Sequence, residues 1–341
     1  MKRLLWLKEL SAQLTEDCIN AAQPPPYKKG DFMDKLIEKI IEKQNPTVAG
    51  LDPKLDYVPG FIKAKCFAKF GRTLEGAAAA LFEFNKALID ALYDIVPAVK
   101  PQAAYYEMYG WQGVKALAYT INYAKSKGMY VMTDGKRGDI GATMEAYAAA
   151  HLGTTDVEGE TCVAFGADAL TVNGYLGTDC IKPLLSLCKE KNKDIFVLAK
   201  TSNPSSGELQ DKKIGDKTVY ETMGEMCEGW GADTIGRHGY SAVGAVVGAT
   251  YPEMLGELRE KLPHTFFLVP GYGAQGGGAE DAKHAFDSNG LGAIVNSSRG
   301  IMCAWKKQEG KTEADFAEAA RAEAIRMKED LLSVIGEIKS E

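Results

Sequence analysis

The stretch GMYVMTDGKRGDIGAT, residues 128–143, joins an apolar run directly to a cluster of charged residues. Residues 128–133 are typical of a short buried strand, and residues 144–152, which follow the stretch, are typical of a helix. Asp134 and Lys136 therefore lie where a strand ends and a helix begins. In α/β proteins, the loops that leave the C-terminal ends of strands form the ligand crevice. The stretch predicts a strand–loop–helix unit with a charged site at its turn.

The charges of this stretch alternate at short spacing. Asp134 and Asp139 bracket Lys136, and such an array holds a lysine protonated while leaving a carboxylate free to face a ligand. A solvated loop is the ordinary interpretation of charges after a strand. Glycines at positions 135, 138 and 141 favour a binding site instead, because they let the backbone turn tightly and approach a ligand closely.

The same unit recurs along the chain. Short continuous apolar runs, typical of parallel strands covered on both faces, occupy residues 47–51, 97–101, 128–133, 169–173, 195–200, 242–248, 265–269 and 292–296. Helical patterns lie between them or flank them, including residues 31–43, 73–94, 113–127, 144–152, 180–189 and 312–338. Eight strands alternating with helices predict an α/β fold, a (β/α)8 TIM barrel. A doubly wound open sheet is the alternative, but no GxGxxG motif follows the first strand.

The barrel is expected to form a single domain, residues 31–341, after a short N-terminal extension, residues 1–30. Pro24-Pro25-Pro26 in the extension breaks any helix and forces extended chain. Its apolar run stops at Lys8-Glu9, which is too short for the roughly 7–15 apolar residues of a signal peptide. No segment reaches the roughly 20 apolar residues that span a bilayer. The sequence therefore predicts a cytoplasmic protein without a membrane segment.

Composition argues against several other classes of protein. The 341 residues carry a formal net charge of -6, which is unfavourable for a nucleic-acid binder. The seven cysteines are odd in number and contain no CxxC pair, which favours free thiols over a disulfide framework. The four histidines form no HExxH set, so we expect no metal site. An anionic ligand would have to be bound by local donors.

Polar residues also follow other predicted strands. In TIM barrels, phosphate is often bound by the loops after strands seven and eight, on backbone N–H groups that glycines expose. The corresponding residues here are Gly271, Gly273, Gly276 and Gly277 after the seventh strand and Arg299 after the eighth. The long polar loop after the fifth strand begins at Thr201 and suits a lid over a polar ring. Lys200 before it is either a Schiff-base lysine or an ordinary strand-end lysine, and its charge alone leaves both open.

These motifs together resemble those of the orotidine 5'-phosphate decarboxylase family. The signature is DGKRGDIGAT at 134–143, and its companions are GLDP at 50–53, KPQ at 100–102, KTSNP at 200–204, PGYGAQGG at 270–277 and SRG at 298–300. The resemblance runs in order from about residue 31 to the C-terminus and is strongest to the longer bacterial branch. The chain departs from the family at Asn173-Gly174-Tyr175, where Asn-Pro-Tyr is expected, and in residues 1–30.

The resemblance implies decarboxylation of orotidine 5'-monophosphate to uridine 5'-monophosphate and CO2, the final step of de novo pyrimidine nucleotide biosynthesis. It implies a homodimer that needs no cofactor and no metal. The catalytic charge network would be Lys100, Asp134, Lys136 and Asp139, and Lys136 would stabilise and protonate the C6 carbanion. Asp139, Ile140 and Thr143 would reach the neighbouring subunit's site. The other implied ligand contacts are Asp52 and Lys100 to the ribose, Ser202 to the pyrimidine, and Gln275 and Arg299 to the phosphate.

Two other functions remain open from the residues. One is a different phosphosugar enzyme on the same barrel, either an aldolase that uses Lys200 or a metal-dependent decarboxylating synthase. The other is a barrel that binds a nucleotide phosphate without catalysis. The Asp134, Lys136 and Asp139 set argues against the second, because a binding protein has no need of it.

Overall fold

Eight parallel strands close into a barrel in the computed structural model, which describes residues 30–250, 252–273 and 277–340. The strands, labelled β1 to β8 in chain order, are Thr47–Leu51, Ala98–Pro101, Tyr130–Arg137, Ala169–Val172, Asp194–Lys200, Val243–Val247, Phe267–Val269 and Ala293–Ser297. Each pairs with its neighbour in sequence, and β1 pairs with β8 from Thr47 against Val295 to close the ring. The predicted TIM barrel is confirmed, and the open-sheet alternative is wrong.

The helices surround the strands and also cover one end of the barrel. Their bounds are Asp34–Lys43, Gly60–Phe70, Leu74–Leu92, Ala104–Glu107, Gly110–Ser126, Gly141–His151, Thr178–Lys191, Val219–Gly231, Pro252–Lys261, Ala279–Ala282, Arg299–Met302 and Phe316–Ile335. The predicted helix ends agree with the observed ends to within a few residues where the sequence contains a clear capping residue. Thr73, for example, accepts a hydrogen bond from the backbone N–H of Gly76 at the start of Leu74–Leu92.

Two apolar cores follow from the alternation of side chains along the strands. One lies between strands and helices, and the other fills the barrel interior. The interior core includes Met33, Leu36 and Ile40 at the helix Asp34–Lys43, packed with residues such as Val48 and Ala98 from the starts of strands. This helix therefore closes the N-terminal end of the barrel, and the opposite end remains for ligands.

Strand β3 is longer than its apolar run predicts. The run ends at Thr133, but the strand continues to Arg137 and so includes the charged residues that were expected in a loop. Its register against β4 shifts: Thr133 pairs with Leu170, and Arg137 pairs with Val172. The bulged segment between those pairs carries Asp134 and Lys136 at the mouth of the barrel.

Two short hairpins, at 155–157 with 160–162 and at 213–214 with 217–218, were not predicted. Within the described residues, no helix is long and apolar enough to cross a membrane. The six cysteines in those same ranges are free thiols. Residues 1–29 of the predicted extension lie outside the described residues, so the division at residue 30 stays a prediction.

Candidate active site

The carboxylate of Asp134 is the centre of a buried hydrogen-bond network at the C-terminal ends of the strands. Lys100 Nζ on β2 donates to Asp134 Oδ2 at 2.6 Å, and Gln102 Nε2 donates to the same oxygen at 2.9 Å. Lys136 Nζ donates to Asp134 Oδ1 at 2.6 Å, and Thr171 Oγ1 on β4 donates to it at 2.8 Å. Four donors thus converge on one carboxylate.

This network fixes the charges of its members. Burial alone would raise the pKa of Asp134, but Lys100 and Lys136 hold it well below its usual range. Burial would likewise lower the pKa of Lys100, yet the carboxylates of Asp134 and Asp52 raise it. Lys100 and Asp134 are almost wholly buried, whereas the Lys136 side chain is 45% exposed. Lys136 is therefore the member of the network that can meet a ligand directly.

The end of β3 is shaped so that Asp134 and Lys136 both face the barrel mouth. Lys136 has a φ of 46°, in the left-handed region that non-glycine residues seldom adopt. Its backbone N–H donates to Thr171 Oγ1 at 3.0 Å, while the same hydroxyl donates to Asp134. Thr171 therefore supports both the strained backbone and the central carboxylate.

Two connected cavities meet at this network and share Lys100, Asp134 and Pro270. The larger, of about 350 Å³, is lined mainly by apolar and hydroxyl side chains: Lys136, Thr171, Leu198, Thr201, Ser202, Asn203, Val246 and Leu268. The smaller, of about 220 Å³, is lined by polar groups: Asp52, Tyr57, Tyr105, Gly271, Tyr272, Asn296, Ser298 and Arg299. We call them the ring cavity and the polar cavity. Together they suit an elongated ligand with a flat end and an anionic end.

The polar cavity ends at the predicted phosphate site. Gly271 and Gly273 have φ values of 104° and 73°, which glycine alone adopts readily. Gly273 N donates to Gly277 O at 2.7 Å, so the two flanks of this loop are tied together. Arg299 is exposed at the first turn of the helix Arg299–Met302 and lines the cavity. Gln275 and Gly276, which were expected to contact phosphate, lie outside the described residues.

Asp139, Ile140 and Thr143 do not join the network within this chain. Asp139 Oδ1 accepts from the backbone N–H of Ile140 at 2.8 Å, and Ile140 is 54% exposed. Thr143 is exposed in the first turn of the helix Gly141–His151. Among the described residues, Asp139 makes no hydrogen bond or ion pair with Lys100 or Lys136. Ile140 and Thr143 therefore lie at the surface beside the site, and Asp139 is half-buried there.

Lys200 does not line either cavity. Its side chain is fully buried and pairs with Asp211, with Ser206 as a second acceptor at 3.2 Å. A lysine in this setting has no path to a carbonyl carbon in the ring cavity, which disfavours the Schiff-base interpretation.

Several residues at the site were not identified from the sequence. Thr171 sits inside an apolar strand, where a threonine is indistinguishable from a packing residue. Tyr57 lines the polar cavity from the loop that follows β1, and Tyr105 lines it from the short helix Ala104–Glu107 after β2. The only sequence signal for Tyr105 is its closeness to the KPQ motif at 100–102. Gln102 belongs to the KPQ motif, but only the structure reveals that its side-chain amide donates a hydrogen bond to Asp134.

Metal ligands do not assemble in the part of the chain that the structure describes. No three His, Cys, Asp or Glu side chains there are placed to hold a metal ion.

Comparison with known proteins places the chain in a family. A sequence model described as "Orotidine 5'-phosphate decarboxylase / HUMPS family" matches residues 78–313, which is more than half of the chain. An orotidine 5'-phosphate decarboxylase of Rhodopirellula baltica is 44% identical over 303 residues, covering 88% of this chain and 98% of that protein. One of Caldicellulosiruptor bescii is 42% identical over 305 residues, covering 89% and 99%.

A solved structure has the same architecture. The OMP decarboxylase of Leishmania donovani superposes with a TM-score of 0.69 at 30% sequence identity, covering 89% of this chain and 98% of that one. The aligned regions thus include most of this chain and nearly the full length of each relative. From the match over residues 78–313 and the extent of these identities, the chain belongs to the orotidine 5'-phosphate decarboxylase / HUMPS family.

Proposed function

We propose that this chain decarboxylates orotidine 5'-monophosphate to uridine 5'-monophosphate and CO2, as the last step of de novo pyrimidine nucleotide synthesis. The observation that carries the proposal is the Lys100–Asp134–Lys136 array, in which one buried carboxylate bonds to two ammonium groups at 2.6 Å each. This array lies where the ring cavity and the polar cavity meet. Relatives over 40% identical carry the decarboxylase name, which supports the same assignment.

The two cavities accommodate the parts of this substrate in order. The pyrimidine ring fits the ring cavity, with Ser202 at its polar edge and Leu198 among its apolar walls. The ribose fits beside Asp52 and Lys100, and Asp52 Oδ1 is a buried acceptor without a protein donor among the described residues. The phosphate fits the glycine flanks and Arg299, whose guanidinium can bind two phosphate oxygens at once. Gln275 completes this phosphate site in the proposal.

The chemistry follows from the fixed charges. Breaking the bond between C6 and the carboxylate releases CO2 and leaves the electron pair on C6. The ammonium of Lys136 stabilises that developing carbanion and then transfers one proton from Nζ to C6. Asp134 lies beside the leaving carboxylate, so its negative charge disfavours the bound substrate more than the transition state. We rank that repulsion below the stabilisation by Lys136.

We also propose a homodimer with shared sites, in which Asp139, Ile140 and Thr143 act in the partner's cavity. Support comes from the exposed positions of Ile140 and Thr143, from the half-buried position of Asp139 next to them, and from the apolar surface around them. Large apolar side chains are exposed on the segments that follow β2, β3 and β4, among them Met108, Trp111, Ile140, Tyr175 and Leu176. Neighbouring loops that expose apolar groups together are typical of an association surface. The predicted cytoplasmic location belongs to the proposal as well.

One assay tests the function. The purified protein is mixed with orotidine 5'-monophosphate, and the loss of the orotate ring's ultraviolet absorbance and the release of CO2 are followed with and without a chelator. We expect equal turnover in both conditions. If a folded protein binds uridine 5'-monophosphate but shows no turnover, the chain is a barrel that binds a nucleotide without catalysis. Activity lost in chelator, or a covalent adduct trapped by borohydride, would point to a metal-dependent synthase or an aldolase.

A further inference from the structure

The loop that follows β5, residues 201–211, folds around an ion pair between a buried lysine and a partly exposed aspartate. Lys200, the last residue of β5, has no exposed surface and contacts Asp211 through its ammonium group. Ser206 Oγ lies 3.2 Å from Lys200 Nζ, and the centre of the Tyr220 ring lies 5.6 Å from it. The ammonium thus has an acid, a hydroxyl and an aromatic face about it, and all three come from the chain that follows β5.

A bulge in β5 turns Lys200 toward this loop. Leu198 pairs with Val246, and Lys200 pairs with Val247, so Ala199 is an extra residue in the ladder. Without the bulge, Leu198 and Lys200 would point to the same face of the sheet. Leu198 lines the ring cavity, whereas Lys200 packs beside Asp211. The bulge therefore separates a cavity residue from a buried charge two positions later.

The loop is also tied across its base. Thr201 N donates to Gln210 Oε1 at 2.9 Å, and Gln210 Nε2 donates to Thr201 Oγ1 at 2.8 Å. Gly207 lies against Asp211, because a Cβ at position 207 would come within 2.7 Å of Asp211 Oδ2. A side chain at position 207 would therefore collide with the carboxylate of Asp211.

We infer that Lys200 is a positioning residue for the ring end of the site: its ion pair with Asp211 holds the 201–211 loop in the shape that presents Ser202 to the ligand's pyrimidine. This inference rests on the proposed function. The residues Thr201, Ser202 and Asn203 lie between Lys200 and the remainder of the loop and line the ring cavity. Loop shapes that separate Lys200 from Asp211 are disfavoured, because they leave a buried ammonium without its acid.

The ion pair should therefore order the loop in the free protein, before the ligand binds. A loop ordered in advance loses less conformational freedom on binding, so the affinity for a ligand with a pyrimidine ring is higher. A ligand that occupies only the polar cavity gains nothing from this order, because the loop does not line that cavity. A loss of affinity for the ligand with the ring alone indicates a positioning role for the pair. An equal loss for both ligands indicates that the pair stabilises the fold in general.

The test uses Lys200→Met and Asp211→Asn in the full chain, with direct titration by uridine 5'-monophosphate and by ribose 5-phosphate, which lacks the ring. We expect each variant to bind the nucleotide about 10-fold or more weakly, since small misplacements of positioning groups cost up to about 100-fold. Binding of ribose 5-phosphate should stay close to that of the wild type. The double variant should lose much less than the product of the two single losses, because each change breaks the same pair.

A control variant removes a lysine from an exposed pair in the next segment. Lys217→Met breaks the pair of Lys217 with Glu225, whose atoms lie 2.6 Å apart, and both ligands should bind it normally. Thermal unfolding of each variant shows whether the protein folds. Asp211 is partly exposed, so Asp211→Asn supplies the test if Lys200→Met does not fold.

Three results would overturn the inference. The first is normal nucleotide affinity in a folded Lys200→Met or Asp211→Asn protein. The second is an equal loss of affinity for both ligands, which would make the pair a general stabiliser. The third is full additivity in the double variant. Failure of the proposed function has a different signature, since the wild type itself would then not decarboxylate orotidine 5'-monophosphate, whatever the two variants bind.

Discussion

At the scale of single residues, the site concentrates charge that would be costly without its partners. Asp134 is buried and ionised only because two lysines and two neutral donors surround it. The same arrangement leaves Lys136 half exposed, with its ammonium held by one acceptor oxygen and open to the cavity on its other side. A charged group that is aimed but not enclosed is what stabilisation of a carbanion needs.

Lys136→Ala tests this role. The change removes the group that we propose both as the cation facing the carbanion and as the proton donor, so we expect turnover to fall by about 100- to 1000-fold or more. Binding of uridine 5'-monophosphate should largely persist, because the substitution does not change Arg299 or the glycines that follow β7. Steady-state rates and a nucleotide titration on the same preparation check both expectations. Near-normal turnover would remove Lys136 from the mechanism.

Arg299→Ala tests the anionic end of the site. We expect weaker binding of nucleotides that carry the phosphate, by about 1.5–3 kcal/mol for a charge-assisted contact, and little change for the phosphate-free nucleoside. Arg299→Lys should fall between the two, because lysine keeps the charge but loses the two-pronged geometry. Inhibition constants for uridine 5'-monophosphate and uridine measure the difference. An equal loss for both ligands would show that Arg299 acts elsewhere.

At the scale of elements, the sequence predicted the strands and helices better than their ends. Apolar runs identify β1 and β5 nearly to the residue, because a strand covered on both faces must be apolar throughout. The extension of β3 through Lys136 could not be predicted, since it depends on pairing with β4 and on the hydroxyl of Thr171. The bulge at Ala199 is likewise a property of two paired strands.

The helix Gly141–His151 has a buried titratable end. Burial, with a smaller contribution from Arg137, lowers the pKa of His151 to about 4, and its ring stacks on Phe165 with centres 4.8 Å apart. The unfolded chain, with an ordinary histidine pKa of about 6.5, binds the proton more tightly than the folded protein. The stability from neutral His151 is therefore present above about pH 6.5 and is lost as the pH falls toward 4.

We expect His151→Leu to reduce the acid sensitivity of the protein. In chemical denaturation between pH 4 and 6.5, the wild type should lose more unfolding free energy per pH unit than the variant. His284→Leu is the control, because it removes a histidine whose side chain is exposed instead of buried. Identical slopes for wild type and His151→Leu would refute the assignment.

At the scale of the whole molecule, the proposed dimer divides each site between two chains. The barrel and most of the site could be anticipated from strand ends, because a closed parallel barrel brings all of those ends to one face. The partner's contribution could not be anticipated from the strand ends. A single chain shows that Asp139 does not join the network of its own subunit, but it does not show which site Asp139 enters. Family resemblance supplied that expectation, and an experiment on mixed subunits can decide it.

Asp139→Ala and Lys100→Ala should each be nearly inactive, through loss of different parts of one charge network. If Asp139 acts in the partner's site and Lys100 in its own, a mixed dimer has one doubly defective site and one intact site. Random exchange makes half of the dimers mixed, so about a quarter of wild-type activity should return. Native mass spectrometry verifies the exchange. A mixture that stays inactive while mixed dimers are present would show that Asp139 acts within its own subunit.

The closure of the barrel between β1 and β8 determines how long the growing chain can associate with other chains through an unpaired strand edge. Thr47 must pair with Val295, residues near opposite ends of the described chain, and until then one edge of β1 has no partner. An unpaired strand edge is a template for association with other chains. At translation rates of about 5–20 residues per second, β8 is synthesised on the order of ten seconds or more after β1. The ring that leaves the finished protein without an exposed barrel edge thus leaves the nascent chain with one for most of its synthesis.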